Sequence, residues 1–323
     1  MLVFLAWLGY NLQNSPSDFF QIFLIGLTQG SVYALVALGY TLVYGILQLI
    51  NFAHGDVFSL SGLVASTMLF SVLELTGDSS NLVVIGGIIV TLAVTIPLFA
   101  VVNATIERVA YRPLRHAPRL TPLITAVGMS FIVSNISLAL YGVDYESGSD
   151  LIPQGAAFTI GEIIVTWKLV FALAIIVPAL IALSWFVGYT RQGKAMRAVA
   201  QDTEASAMMG INVNRTISVT FLIAGALAAV AGLVFLLEYN IRYDTGFELG
   251  LIAFTAAVLG GIGNLAGAVL GALVIGFVQS FNEGLTWFAP GGDWTRSIVF
   301  GILIAVLVFR PQGLLGEQTP EGA

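Results

Sequence analysis

Four stretches of the chain hold residues whose types and spacing bear on chemistry. In Gly188-Tyr189-Thr190-Arg191-Gln192-Gly193-Lys194-Ala195 the glycines and the lysine fall at the spacing of a phosphate-binding loop. Ala195 stands where a serine or threonine hydroxyl would hold magnesium, and the stretch follows an apolar run rather than a strand. Nucleotide binding, and with it ATPase activity in this chain, is therefore set aside. In Ile50-Asn51-Phe52-Ala53-His54-Gly55-Asp56 an Asn, a His and an Asp interrupt a long apolar run. Such groups are costly at membrane depth unless protein or a wet cavity surrounds them. Asn51, His54, Gly55 and Asp56 thus read as a broken helix lining a solute path. An ordinary loop between two spans, with Asp56 capping a helix that starts at Val57, accounts for the same residues. Composition does not separate the two readings.

The third stretch is Gly260-Gly261-Ile262-Gly263-Asn264. Glycines this dense, followed by Asn, do not continue a helix comfortably. A second broken helix is expected, as a repeat partner of the first. Close helix packing through glycine would by itself account for Gly267 and Gly271. The fourth stretch, 189–216, is a charged segment between two apolar runs. It reads as a short amphipathic helix over 196–210, with Arg197, Asp202 and Glu204 sharing part of one surface. Ala205, Met208 and Met209 supply small and soft apolar positions that suit a partner's groove, and Gly210 stops the helix. A merely solvated surface helix is the bland alternative. The chain has no cysteine and two histidines, which argues against disulfides, thiolate chemistry and a structural zinc site. No H-E-x-x-H or G-x-S-x-G motif and no paired intramembrane carboxylates mark a hydrolase. No cofactor, metal or nucleic-acid partner is expected.

The elements that must position these residues follow from composition. Hydrophobic residues make up 58% of the 323 and charged residues 9%, and mean hydropathy is +0.94. That balance defines an all-α, polytopic helical membrane protein of about eight spans. Charge-free runs mark them at 19–55, 57–73, 79–106, 121–142, 169–188, 217–237, 249–282 and 297–309. The first run would extend about 55 Å as one helix against a hydrocarbon core of about 30 Å. The run at 249–282 is also too long for one span, and two short arms meeting near Gly263-Asn264 are expected there. Arg108, Arg112, Arg115 and Arg119 in one loop, and Arg191, Lys194, Arg197 and Arg215 in another, place both loops in the cytoplasm. Residues 143–167, with Asp144, Glu146, Asp150 and Glu162, then lie outside, as do 238–248 and the N-terminus. Trp167, Trp287 and Trp294 become outer-interface anchors. Residues 1–18 form an extension of no assigned role, the first dozen an interfacial lead-in without the marks of a secretory signal. Residues 19–316 form the transmembrane domain and 317–323 a C-terminal tail.

The sequence resembles the permease subunits of branched-chain amino acid ABC importers, specifically the shorter type that pairs with a longer sister permease. The likeness rests on GLTQGSVYALVALGYTLVYGILQLINFAHGDV, IERVAYRPLR, TAVGMS, RQGKAMRAVAQDTEASAMMGINVNR and AFTAAVLGGIGNLAGAVLGALVIG, and spans about residues 20–316. It implies two dissimilar permeases in the inner or plasma membrane of a prokaryote, two cytoplasmic ATPases and an extracytoplasmic solute-binding protein. It implies that 196–210 is the coupling helix seated in an ATPase cleft. It also implies that Asn51, His54, Gly55, Asp56, Thr255, Gly260, Gly261, Gly263 and Asn264 belong to the translocation core. The expected mechanism is alternating access, with the binding protein docked over 143–167 and 238–248. Urea and short-chain amide importers of the same family use similar permeases. An ion-coupled secondary transporter working through His54, Asp56 and Glu107, or a passive channel, are readings of other classes.

Overall fold

The computed structural model describes residues 2–115, 117–118, 120–285, 287–310 and 312–316. The tail at 317–323 and Arg119 of the first basic loop lie outside the described residues. Eight helices among those described are long and apolar enough to cross a membrane, as composition requires. In chain order, α1 (Leu2–Asn14) leads into α2 (Pro16–Leu47), α3 (Ala53–Ser66, continued by a wider turn to Val72), α4 (Asn81–Ile106, extended to Leu114) and α5 (Leu120–Tyr141). A hairpin of β1 (Ala156–Ile160) and antiparallel β2 (Ile163–Thr166) precedes α6 (Trp167–Tyr189). There follow α7 (Arg191–Gln201), α8 (Thr203–Met208), α9 (Val213–Glu238), α10 (Thr245–Gly260), α11 (Leu265–Gly284) and α12 (Gly292–Phe309).

Burial sorts the helices into an inner and an outer set. From Gly30 to Val43 every residue of α2 is buried, and α3 and most of α9 and α10 are likewise enclosed. On α5 and α12 apolar side chains such as Ile124, Ile132, Ile304 and Phe309 stand exposed. A helix apolar on its outward face is at home against lipid, where its backbone groups are already satisfied within the helix. The inner helices therefore form the part of the bundle that can hold polar groups away from the hydrocarbon.

Both overlong runs break, as expected. The first turns at Gln48, which takes a left-handed φ of 53°, and α3 begins at Ala53. The reading of Asp56 as the cap of a helix starting at Val57 is corrected by this. His54, Gly55 and Asp56 form the first turn of α3 itself, where a carboxylate meets the positive helix end. The second run folds into an α10–α11 hairpin. Gly261 and Gly263 adopt φ of 108° and 96°, conformations that side chains other than glycine's resist, and the Asn264 side chain caps α11 by accepting from Gly267 N at 2.9 Å. That hairpin returns α12 toward the side of the basic loops, so the C-terminal residues join the cytoplasmic end.

The stretch after α9 departs from expectation. Residues 239–244 do not form an outer loop but dip back into the bundle. Ile241 pairs with Glu146 through both backbone bonds, 2.8 and 2.9 Å. Ser59, the seventh of the 20 residues in the α3 span, donates to the Arg242 carbonyl at 2.6 Å. Helix α10 therefore starts well inside the bundle. At the outer end, α1 packs beside α2, with Trp7 Nε1 donating to the Trp287 carbonyl at 2.7 Å. The β-hairpin is held by Gln21, whose amide exchanges two bonds with the Ile164 backbone at 3.0 and 2.9 Å.

Candidate functional site

The starts of α3 and α10 meet inside the bundle. A Cβ on Gly55 would stand 2.3 Å from the Gly246 carbonyl oxygen, and one on Gly246 would stand 2.2 Å from that of Gly55. Only glycine at both positions allows the helices to touch there. The positive ends of two helices thereby converge, and both first turns carry acid: Asp56 on α3 and Glu248 on α10, with Asp244 at the α10 cap. Interrupted helices whose ends converge in a bundle are a recurring way to contact a solute in membrane transporters.

Asp56, Asp244 and Glu248 share one cleft of about 300 Å³ with Ser130 and Phe247. Three acids thus gather at one cleft, an arrangement that the spacing of acids along the sequence does not reveal. The inward dip of 239–244 carries Asp244 and Glu248 to Asp56. Asp244 is held by Arg242 at 2.6 and 2.5 Å, and Glu248 accepts from Arg296 of α12 at 2.6 Å. Asp56 is fully buried and accepts from the Ser130 hydroxyl.

The other residues singled out in the first broken segment face inward. Asn51 accepts from the Tyr111 hydroxyl at 2.7 Å, and His54 is buried edge-on to Tyr40 with ring centroids 5.0 Å apart. Thr255 turns its hydroxyl back to the Leu251 carbonyl at 2.8 Å. Of that group, Asp56 is the one that borders the cleft.

Gly260, Gly261, Gly263 and Asn264 stand at the other end of α10. Gly260 packs directly on Gly267, so close packing and a turn both operate in this stretch. Residues of the C-terminal segment strap the helix end. Leu314 N and Leu315 N donate to the Leu259 and Gly260 carbonyls at 2.8 and 2.9 Å, and Asn264 Nδ2 donates to the Leu315 carbonyl at 2.9 Å. Gly263 and Asn264 border a cavity of about 790 Å³ whose far wall is α7, through Met196, Arg197 and Ala200.

The segment expected to be one helix over 196–210 is two. Asp202 adopts extended backbone (φ −151°, ψ 109°) between α7 and α8, because its carboxylate leaves helix geometry to cap α8, accepting from Ala205 N at 2.9 Å. Arg197 and Glu204 therefore do not share a helix face. Arg197 donates back to the Val187 carbonyl at the end of α6. Helix α7 buries Gly193, Met196 and Val199, so the glycine and lysine of the phosphate-loop spacing lie on a packed helix. Beyond it Glu204 is exposed and Ala205 half-buried. Met208 and Met209 are 82% and 83% exposed, and Gly210 ends the turn at φ 82°.

Beside this segment, Glu107 is fully buried. It accepts from Arg115 and, at 2.7 Å, from the Ser218 hydroxyl of α9, while Arg115 also donates to Asn214 at 2.6 Å. Burial pushes the Arg115 guanidinium below its ordinary pKa, and the neighbouring Glu107 opposes that shift. Glu107 is thus a tie between the first basic loop and α9, which leaves it poorly placed to carry ions.

Sequence reasoning did not single out Ser130, Asp244, Phe247 and Glu248. The usable signal was Asp244-Thr245 followed by an apolar run, a helix start rather than a loop.

The fold and these two openings at opposite ends of α10 define a multi-pass membrane permease. The family of branched-chain amino acid transport system permease components matches residues 22–308, and the chain belongs to it. The chain is 37% identical to the high-affinity branched-chain amino acid transport system permease protein BraD of Pseudomonas aeruginosa, over 92% of this chain and 95% of that one. It is 37% identical to the corresponding LivH of Escherichia coli K12 over 94% and 97%. A probable LivH of Methanocaldococcus jannaschii is 26% identical over 88% and 89%. Permease subunits of this kind carry no nucleotide-binding site of their own.

Proposed function

We propose that this chain is the permease subunit of an ATP-driven, binding-protein-dependent importer of leucine, isoleucine and valine in a prokaryotic inner membrane. Residues 19–316 form the permease domain, which pairs with a sister permease. Two cytoplasmic ATPases grip 189–216, and a solute-binding protein delivers from outside. ATP closes the ATPase pair, the exposed α8 surface follows, and alternating access results as the bundles rock. Arg197 and Asp202 set the shape of the coupling segment, and Glu204, Ala205, Met208, Met209 and Gly210 form its contact surface. Asn51, His54, Gly55, Asp56, Thr255 and the 260–264 turn form the moving core around the solute path.

The observation that carries this reading is a continuous packed route. Exposed methionines on α8 adjoin α7, and α7 walls the same cavity as the turn that ends α10, the helix whose other end holds the acidic cleft. Two methionines standing out in water are costly to leave uncovered and suit a partner's apolar groove. Glu204→Ala combined with Met209→Ala should abolish ATP-dependent uptake while leaving solute capture by the binding protein intact. Normal uptake by that double variant would defeat the assignment.

A further inference from the structure

We infer that the cleft between α3, α5 and α10 is a solute-contact site that takes the ammonium group of an α-amino acid on Asp56. The inference rests on the importer reading and deepens it by naming the chemical group recognised within the membrane domain.

Three observations lead there. Asp56 is fully buried with Ser130 on Oδ2, while Oδ1 has no hydrogen-bond partner from the rest of the described chain. A buried acceptor left open costs about 1–3 kcal/mol and more when charged, which favours a donor supplied from the cleft it borders. The charge count points the same way. Asp244 and Glu248 each have an arginine, Arg242 and Arg296, so among the described residues Asp56 is the carboxylate of the cleft with no ion-pair partner. The walls then select the kind of cation. Phe131 and Phe247 border the same cleft and are 64% and 53% exposed. A hard metal ion asks for six or more oxygen ligands, and two of the three carboxylates here are already engaged by arginines, whereas aromatic faces beside the one carboxylate left unpaired suit an organic ammonium with an aliphatic body. At about 300 Å³ the cleft has the size of a small-molecule site.

The chain's lack of cysteine supplies the test. Ser134 borders the cleft and is half-buried. A Ser134→Cys reporter in the assembled transporter, with sister permease and ATPases in nanodiscs, is labelled with a maleimide and read on this chain's band. L-leucine at ten times its Kd should slow labelling about tenfold by mass action. 4-Methylpentanoate, which is leucine without the amino group, should leave the rate unchanged, and so should urea. Asp56→Asn should remove the protection by leucine while the unliganded rate and co-purification of the sister permease persist. Phe247→Ala, which leaves the carboxylate in place, should weaken protection by leucine more than protection by alanine. Equal protection by 4-methylpentanoate, or undiminished protection in Asp56→Asn, would overturn the inference. Uptake of labelled leucine is measured on the same preparation. Leucine uptake without any protection overturns this inference alone, and urea uptake in place of leucine overturns both it and the importer reading.

Discussion

The two ends of α10 are built from different materials. Its cytoplasmic end is glycine and backbone: a turn at Gly261 and Gly263, a strap from Leu314 and Leu315, and a cavity bordered by α7. Its inner end is charge: Asp244 and Glu248 beside Asp56, with Arg242 and Arg296 in attendance. Glycine contacts transmit displacement because they leave no soft side chain to absorb it, and packed interiors are bistable rather than continuously deformable. On the inferred reading, charged groups bordering a cleft would do the opposite work, distinguishing one solute from another at little mechanical stiffness. One short helix thus joins a mechanical end to a chemical end, and variants at each should fail in different ways.

The largest effect is expected in the framework that holds the mechanical end. Glu107→Ala leaves Arg115, itself 12% exposed, without its carboxylate, and breaking a buried pair costs about 3–5 kcal/mol. A steep fall in melting temperature of the assembled transporter should register it, and joint replacement of both residues by methionine should recover much of the loss. Next come the contact methionines. Met208→Asp with Met209→Asp should reduce uptake by about tenfold or more, since anchors at an interface are worth about 1–2 kcal/mol or more each. The isolated permease variant should melt like its parent, because both side chains lie exposed on this chain alone. At the junction between the ends, Gly55→Ala forces a methyl against the Gly246 carbonyl and should cost about 1–3 kcal/mol. Gly128→Ala, with open space around it, should be neutral or slightly stabilising, so thermal melts of the pair isolate the close approach. Smallest is Arg296→Ala. Its pair with Glu248 is largely exposed, and loss of it should change stability by less than about 1 kcal/mol, measurable by a double-variant cycle.

Much of the fold was legible because bilayer arithmetic is severe. Overlong runs had to break, and the one at 249–282 broke at Gly261–Asn264. The basic loops share one end of the bundle. Less legible was what depends on tertiary depth. Asp244 and Glu248 read as outer-loop acids because nothing local says that 239–244 dips to meet Ser59 and Glu146. Asp56 read as an interruption of a span, whereas the chain re-enters helix three residues earlier, at Ala53. Asp202 looked like one more charge on an amphipathic helix, yet an Asp followed by Thr-Glu-Ala is also an N-cap sequence, and the cap prevailed. Among the residues singled out for the solute path, Asn51, His54 and Thr255 serve first as packed interior. Burial in polar company is invisible to periodicity in a chain whose lipid-facing and core-facing positions are both apolar.

The central claim is that this chain conducts amino acid only when driven by partner ATPases. Proteoliposomes holding it with its sister permease, ATPases and binding protein should take up labelled leucine in the presence of ATP, and not labelled urea. Removing the ATPases should abolish uptake. Leucine flux that persists without them, or through this chain alone, would contradict the account.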